Sequence, residues 1–454
     1  MIRVADYIME RLSLEGIGHV FQITGRGSLF LNDALAKHKS LKAVSLHHEQ
    51  SCAFAAVSYA EQTGGLGACL VSTGCAATNT LTGVLSSWQD GVPCVFISGQ
   101  NILRETSRFT GIPLRTFGQQ EADIIKLVEP ITKFARMITA PDEIVETLEL
   151  ALRSAKSGRM GPVWIDVPLD LQSALIKTDL DVHAEFNNCE SEAHATDQQI
   201  LSVVQLLRAA KRPIVLIGKG VQSARATAAF EKLIESWRLP VAFTASATDT
   251  YGSANALSLG SVGAMGCSRA GNFAVANSDL VIVLGSRLTT LTTGPDFCKF
   301  ARAAKVVVVD IDPVEHSKAT IQIDCLIKSD IRYFLEKLSV HEAPQVDPKW
   351  VEKCLHWKRI FHDVEPEFDS SDMVDLYQLA NRLGEMLPRP STTITDSGLV
   401  EVILPTNIRF SSGMKCIHPA SQGAMGFALP AAIGAQCATD NPVLAVIGDG
   451  SIMM

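Results

Sequence analysis

Residues 68–97 read ACLVSTGCAATNTLTGVLSSWQDGVPCVFI, and this stretch decides the fold class. Residues 68–72 and 94–97 are short apolar runs, which are typical of buried strands. Residues 77–89 between them carry apolar side chains at helical spacing. A strand, a helix and a second strand in this order predict two parallel strands joined by a crossover helix.

The same alternation continues on both sides of this segment. Strands are predicted at 44–46 and 163–167, and helices at 51–63 and 141–157. Further strands are predicted at 213–217, 241–243, 280–284, 306–311, 392–395 and 443–447. The pattern therefore predicts an α/β protein built from doubly wound parallel sheets with helices on both faces.

Two stretches interrupt the pattern and are predicted linkers. Residues 175–199 are rich in Asp, Glu, Asn and His, and residues 339–349 combine two prolines with mixed charge. The domains expected from these breaks span residues 1–175, 195–340 and 371–454. The third domain stops directly after a strand, so we expect it to be incomplete and the chain to be a fragment of a longer protein.

Composition excludes several functional classes. The 454 residues are 47% hydrophobic and 19% charged, with a formal charge of −8 and no basic block, which argues against nucleic acid or a membrane surface as a partner. No apolar run is long enough to span a bilayer. The 11 cysteines never form a C-x-x-C pair. They are typical of small buried hydrophobes in a reducing cytoplasm, which is the expected location.

The last predicted strand ends in Ile447-Gly448-Asp449-Gly450-Ser451. A carboxylate at the carboxyl end of a parallel strand suits a hard cation that bridges to phosphate oxygens. The flanking glycines let the backbone approach a pyrophosphate closely. An ordinary Asp-Gly turn explains the same residues and stays open as an alternative.

Two segments near the amino end also carry candidate residues. Glu49 lies between a predicted strand and a predicted helix, where a proton-relay carboxylate and a helix-capping side chain are both plausible roles. Residues 72–79, STGCAATN, follow a strand and open a helix. Their small residues suit an anion or a cofactor ring, and a simple strand-to-helix turn with a Thr cap is the alternative.

The middle of the chain contains a weak dinucleotide pattern. Gly218-Lys219-Gly220 follows a strand, but Ser223 occupies the place of the third glycine in the fingerprint. Residues 285–287 and 310–312 also end apolar strands. Together these turns suit a groove for an adenine nucleotide, while core turns with surface charges are the competing interpretation.

In combination, the motifs resemble thiamine-diphosphate-dependent enzymes of the acetolactate synthase (acetohydroxyacid synthase) type. The resemblance covers nearly the whole chain, and its motifs occur in the family's order. The matching segments are HHEQSCAFAAVSYAEQTG (47–64), STGCAATN (72–79), FGQQEADI (117–124), ITKFA (131–135), GPVWIDVPLD (161–170), SDLVIVLGSRL (278–288), VVVDIDP (307–313), GAMGFALPAAIGA (423–435) and VIGDGS (446–451).

The resemblance implies a subunit with pyrimidine-binding, central and diphosphate-binding domains. It implies a transferase of branched-chain amino acid biosynthesis that decarboxylates a 2-oxo acid, most simply pyruvate, and ligates the remaining fragment. The implied cofactors are thiamine diphosphate, Mg²⁺ and FAD, the last with a structural role. A homodimer or tetramer is implied, since the two halves of the coenzyme site come from different subunits in this family. A regulatory subunit is a further partner that it allows.

The resemblance also assigns roles to individual residues. Glu49 matches the glutamate that hydrogen-bonds the coenzyme's aminopyrimidine ring, and Gln120 matches a glutamine beside the substrate. Asp449 matches the first ligand of Mg²⁺, and Met425 matches the residue that keeps the coenzyme bent. The other cofactor-binding matches are Thr73, Asn79, Ser397, Gly398, Gly423, Gly448, Gly450 and Ser451 for thiamine diphosphate, and Gly220, Gly285, Arg287 and Asp310 for FAD.

The sequence departs from the family pattern in places, so other functions stay open as alternatives. Many relatives have a Pro-Gly-Gly loop near the substrate where this chain has Thr24-Gly25-Arg26-Gly27. Arg26 suits a bidentate clamp on a carboxylate or phosphate, or is a surface arginine on a turn. The first rival keeps the chemistry with a nucleotide-sugar ketone as acceptor, in cell-surface polysaccharide biosynthesis. The others are a nicotinamide-dependent oxidoreductase and a non-catalytic fragment or scaffold.

Overall fold

The structure is a computed structural model, and it describes residues 1–177, 193–361 and 373–454. These residues form two compact units. The first contains residues 1–177 together with Ser421–Met454, and the second contains residues 193–361 and 373–420. The last segment of the chain therefore belongs to the same unit as the first.

The helices and strands alternate along the chain. The strands are β1 Ile2–Arg3, β2 His19–Gln22, β3 Lys42–Ser45, β4 Gly67–Val71, β5 Cys94–Gln100, β6 Phe134–Met137, β7 Pro162–Pro168, β8 Leu175–Ile176, β9 Pro213–Ile217, β10 Val241–Phe243, β11 Ser258–Ser261, β12 Leu280–Leu284, β13 Lys305–Asp310, β14 Cys325–Lys328, β15 Ser391–Thr395, β16 Met414–Ile417 and β17 Val443–Val446. The α-helices are α1 Val4–Leu14, α2 Leu29–Lys37, α3 Glu49–Thr63, α4 Cys75–Thr78, α5 Leu81–Asp90, α6 Ser107–Thr110, α7 Ile124–Val128, α8 Glu143–Lys156, α9 Leu169–Gln172, α10 Asp197–Ala209, α11 Gly220–Ser223, α12 Thr227–Trp237, α13 Arg269–Asn277, α14 Thr290–Thr293, α15 Ile331–Leu338, α16 Pro348–Ile360, α17 Leu376–Met386, α18 Leu399–Asn407 and α19 Ala428–Cys437.

The first unit is built on a parallel sheet in the order β3-β2-β4-β5-β7-β6. In its centre, β5 and β7 pair in register from Cys94 opposite Pro162 to Gln100 opposite Pro168. After β2 the chain forms β3 on one side and then β4 on the other. The chain therefore leaves β2 and β4 in opposite directions, and open α/β sheets bind ligands at the carboxyl edge beside such a pair of strands.

Successive side chains of each strand point to opposite faces of this sheet, and apolar residues fill a core on both faces. On β5, Val95 and Ile97 pack in the cluster that includes α1 and α8. Cys94 and Phe96 point to the opposite cluster, which includes α3. Phe96 stacks there on Trp164 of β7 at a ring-centroid distance of 5.6 Å. Because helices cover both faces, the first four residues of β5, 94–97, are a continuous apolar run.

Helix α3 is buried along most of its length, and α19 packs against it. Phe54 and Phe427 contact each other edge to face at 5.2 Å. Further along α19, a Cβ added to Gly434 would lie 2.1 Å from the carbonyl oxygen of Ala55, so only glycine allows this close approach. The contact fixes Ser421–Met454 in the first unit.

The second unit is built on a parallel sheet in the order β11-β10-β9-β12-β13-β14, and its strands β15 and β16 also pair in parallel. The strand order reverses between β9 and β12, which pair from Pro213 opposite Leu280 to Ile217 opposite Leu284. This is the order of dinucleotide-binding sheets. The predicted α/β class with doubly wound parallel sheets is confirmed.

Some predicted strand boundaries agree with the structure and others are off by one to three residues, as at β5, which is predicted at 94–97 and spans Cys94–Gln100. The strands at 213–217, 241–243 and 280–284 are confirmed at both ends. The single helix predicted at 77–89 is wrong, because the chain forms α4, turns at Asn79 and Thr80, and then forms α5.

The predicted linkers are shorter than expected where the structure describes them. Residues 178–192 of the first linker lie outside the described residues, and α10 begins at Asp197 behind a Thr196–Gln199 capping box. The second linker ends where Pro348 opens α16, a helix that sequence analysis did not predict. No described helix is both long and apolar enough to cross a membrane.

Candidate active site

Three loops meet at the carboxyl edge of the first unit's sheet. They follow β2, β4 and β5, whose carboxyl ends share one edge because the strands are parallel. The backbone N–H of Gly27, after β2, donates to Ser72 Oγ, after β4, at 3.0 Å. This edge contains most of the residues that the sequence singled out in the first half of the chain.

Glu49 is the first residue of α3 and is half-buried. The helix is capped by His48, whose Nδ1 accepts from the N–H of Gln50 at 3.2 Å. The alternative of Glu49 as the capping side chain is therefore wrong. Instead, Asn79 Nδ2 donates to Glu49 Oε2 at 3.0 Å, so the segment between β4 and α5, which contains α4, holds the carboxylate in place. The structure brings these two predicted residues together.

The turn at the start of this segment, before α4, contacts Gln120. Gly74 has a φ of 64° and Gln120 has a φ of 61°, a left-handed conformation that is uncommon for a residue other than glycine. A Cβ added to Gly74 would lie 1.9 Å from the carbonyl oxygen of Gln120. The neighbouring Gln119 accepts on its side-chain Oε1 from exposed Arg26 at 2.7 Å. Arg26 therefore lies close to Gln120 at this edge of the sheet.

A buried polar network lies beneath this turn. Sequence analysis named Thr73 in it as a coenzyme-binding residue, which stays a prediction, and missed the other members. Thr73 Oγ1 donates to Gln100 Oε1 at 2.6 Å. Gln100 Nε2 in turn donates to Asp166 Oδ2 at 3.1 Å, and Ser98 Oγ donates to Asp166 Oδ1 at 2.6 Å. Burial raises the pKa of Asp166 to about 7, and the two hydrogen bonds limit the rise. The sequence signal that could have predicted this network is the pair of polar residues, Ser98 and Gln100, two positions apart on an otherwise apolar strand.

The raised pKa of Asp166 predicts a pH-dependent stability. The folded protein binds this proton more tightly than the unfolded chain does, so the carboxyl contributes most below pH 4. That contribution, on the order of 4 kcal/mol, is lost as the pH rises to about 7. We expect the free energy of unfolding in urea to fall less over this range in Asp166→Asn. Equal pH slopes in the two proteins would contradict the assignment.

The Gly448–Ser451 turn follows β17 in the same unit. Asp449 is exposed, and its Oδ1 accepts from the N–H of Gly450 at 2.9 Å. A Cβ added to Gly450 would meet only the Cε of Met425, at 3.7 Å. The turn is therefore open enough for a bulky anion to reach its backbone, and Asp449 presents a carboxylate beside it. Both features fit a diphosphate with its cation.

A series of contacts connects this turn with Glu49. Met425 lies beside Gly450, and Phe427, two residues later, packs on Phe54. Phe54 is five residues after Glu49, which is about 7.5 Å along the axis of α3. Both predicted halves of the coenzyme site thus belong to one compact unit of the described chain. The resemblance implies that they come from different subunits, and that arrangement stays a prediction.

The remaining predicted residues lie elsewhere. Gly423 has a φ of 57° and lies in the first unit, two residues before Met425. Ser397 and Gly398 lie in the second unit, where Gly398 precedes α18 with a φ of 88°. Their role as coenzyme-binding residues stays a prediction. No cluster of three or more His, Cys, Asp or Glu side chains that would hold a metal ion occurs in the described ranges.

The second unit places the predicted flavin residues at the carboxyl ends of β9, β12 and β13. The N–H of Gly220 donates to the carbonyl oxygen of Gly285 at 3.0 Å, so the glycine turn packs against the neighbouring strand end. Asp310 lies 3.4 Å from Nε2 of His316. The His316 side chain is 1% exposed and neither ring nitrogen has a hydrogen-bond partner. Unsatisfied buried nitrogens beside a carboxylate fit a polar ligand group.

Comparison with known families matches all three parts of the chain. Residues 2–127 match the N-terminal TPP binding domain of thiamine pyrophosphate enzymes. Residues 200–338 match the central domain of these enzymes, and residues 396–454 match their C-terminal TPP binding domain. The chain therefore belongs to the thiamine pyrophosphate enzyme family.

Similarity to curated relatives indicates the type of enzyme within this family. The chain is 30% identical to a probable acetolactate synthase large subunit of Methanocaldococcus jannaschii, over 99% of this chain and 76% of the relative. It is 30% identical to the acetolactate synthase isozyme 1 large subunit of Escherichia coli, over 99% and 77% of the two chains. It is 32% identical to the Corynebacterium glutamicum large subunit, over 96% and 68%. The chain is an acetolactate synthase-like enzyme that depends on thiamine pyrophosphate.

Proposed function

We propose that this enzyme decarboxylates pyruvate and joins the remaining two-carbon unit to a second 2-oxo acid, as its relatives' names suggest. The observation that carries the proposal is the pairing of Glu49 with Asn79 at the sheet edge that also holds Gln120. Bound thiamine diphosphate supplies the carbon nucleophile and the electron sink that this chemistry needs. The comparisons offer no support for the nicotinamide, scaffold or nucleotide-sugar alternatives.

In this proposal Glu49 exchanges a proton with the pyrimidine ring of the coenzyme. A general acid–base group must be within hydrogen-bond reach and held in one orientation. The hydrogen bond from Asn79 at 3.0 Å holds the carboxylate of half-buried Glu49 in one orientation. Gln120 and Arg26 then supply amide and guanidinium donors for the substrate's carbonyl and carboxylate groups.

Mg²⁺ is proposed at Asp449, since a carboxylate beside an open glycine turn suits a cation that bridges to diphosphate oxygens. Gly448, Gly450 and Ser451 would approach the diphosphate with their backbone. FAD is proposed beside Gly285, Arg287 and Asp310. The unsatisfied ring of His316 supports a polar group there, whereas the N–H of Gly220 is already bonded to Gly285.

The remaining assignments also stay proposals. A homodimer or tetramer is proposed from the family resemblance, and relatives named large subunits support a further, regulatory subunit as a partner. Cysteines in the described part of the chain are free, which supports a reducing compartment such as the cytoplasm.

The test is turnover of pyruvate by the purified protein with thiamine diphosphate and Mg²⁺. We expect acetolactate as the product, with no activity when the coenzyme is omitted. A protein that releases carbon dioxide from pyruvate only when a nucleotide-linked keto sugar is added would overturn the proposed acceptor. The visible absorbance spectrum of the same preparation shows whether flavin is bound.

A further inference from the structure

Glu121 occupies an unusual position next to Gln120. Its side chain is buried, with 8% of the residue exposed. Oε1 accepts from both the N–H and the Oγ of Ser107, at 2.5 and 2.7 Å. Oε2 accepts from the N–H groups of Phe117 and Gly118, at 2.6 and 3.3 Å. One carboxylate thus joins the start of α6 to the turn that presents Gln120.

The backbone of this turn is held from two other directions. Asn101 Nδ2 donates to the carbonyl oxygen of Gln119 at 2.9 Å, and Asn101 directly follows Gln100 of the buried network. The carbonyl oxygen of Gln120 lies against Gly74. These contacts hold a left-handed conformation at Gln120 that the residue would rarely adopt alone.

A carboxylate suits this position because its two oxygens act as the acceptor in all four hydrogen bonds. A glutamine amide has the same shape, but its NH₂ group would face N–H donors on one side. Glu121→Gln therefore loses either the bond from the N–H of Ser107 or the bonds from Phe117 and Gly118, and it leaves a buried N–H donor unsatisfied. The loss would act on the turn and not on the groups that hold the coenzyme.

We propose that Glu121 is a positioning residue that fixes Gln120 in its reactive orientation by tying residues 117–118 to Ser107. This inference rests on the proposed function, because it assigns Gln120 to the substrate. Glu121 itself contacts neither the substrate nor the coenzyme and acts through the turn that carries Gln120. A displacement of Gln120 by about 1 Å is enough to reduce the rate, since reacting groups require near-contact alignment.

The test compares wild type with Glu121→Gln in steady-state kinetics with pyruvate. We expect kcat/KM to fall about ten- to hundredfold while the affinity for thiamine diphosphate is retained. Hydrogen exchange at the N–H groups of Phe117 and Gly118 should become faster in the variant. Glu129→Gln, an exposed glutamate in the following segment, is the matched control and should leave both measurements unchanged.

A double-mutant cycle separates positioning from a merely structural role. If Glu121 acts through Gln120, Glu121→Gln should have little further effect on kcat/KM in a Gln120→Ala background. The same fold loss in both backgrounds, or a wild-type kcat/KM in Glu121→Gln, overturns this inference. A wild-type enzyme that lacks coenzyme-dependent turnover overturns the proposed function instead, and the two failures are therefore distinguishable.

Discussion

Replacing Glu49 with Gln is expected to reduce kcat with pyruvate by a factor on the order of 10² to 10⁴, the range that general acid–base groups supply. Glutamine keeps the size of the side chain and can still accept from Asn79, but it cannot take up a proton. Because Asp449 and its turn are untouched, the affinities for Mg²⁺ and for the diphosphate should stay unchanged. Steady-state kinetics and coenzyme titration measure the two quantities.

The matched control is Glu61→Gln, which removes the same charge from the opposite end of α3. It should retain wild-type kcat. Deuterium exchange at the reactive carbon of bound coenzyme gives a direct measure of proton transfer and should slow in Glu49→Gln alone. Full turnover in Glu49→Gln would reject the proton-relay role, whatever the coenzyme affinity.

The second large effect is expected for Gly74→Ala. The added methyl group would lie 1.9 Å from the carbonyl oxygen of Gln120, which is backbone and cannot move away without displacing the whole turn. Alanine is also strained at a φ of 64°. We expect activity to fall by roughly a hundredfold or more, because Gln120 and Asn79 both depend on this turn. The free energy of unfolding should also fall.

The Gly111→Ala variant distinguishes the effect of backbone strain from the effect of a steric clash. Gly111 has a φ of 68°, nearly that of Gly74, but no atom lies within 4 Å of an added Cβ. This variant should lose only about 1 kcal/mol of stability from backbone strain and should keep its activity. Urea unfolding and kcat measured on both variants give the comparison. Equal losses in the two proteins would show that contact with Gln120 has no role.

Much of the architecture was predictable because buried parallel strands leave a strong local signal. Residues 213–217 and 280–284 are apolar throughout, since helices cover both faces of their sheet, and both strands were predicted to the residue. Helix α16 was missed because Pro348 looks like a linker residue, although proline is also favoured in the first turn of a helix.

The candidate site was only partly predictable. Glu49 and Asn79 stand out beside strand ends, and the structure joins them by a hydrogen bond. Gln100, Asp166 and Glu121 were missed because their roles come from partners distant in sequence. Asp166, for example, bonds to residues 66 and 68 positions away. Spacing within a motif carries no information about such pairs.

The packing of α19 on α3 has a consequence for synthesis of the chain. The two helices are separated by about 365 residues, so a ribosome making roughly 5 to 20 residues per second completes α19 some 20 to 70 seconds after α3. Throughout that interval the surface of α3 that later receives Phe427 and Gly434 lacks its partner. The nascent polypeptide therefore carries an uncovered apolar helix face during translation until the late segment arrives, and such transiently exposed surface is prone to aggregation.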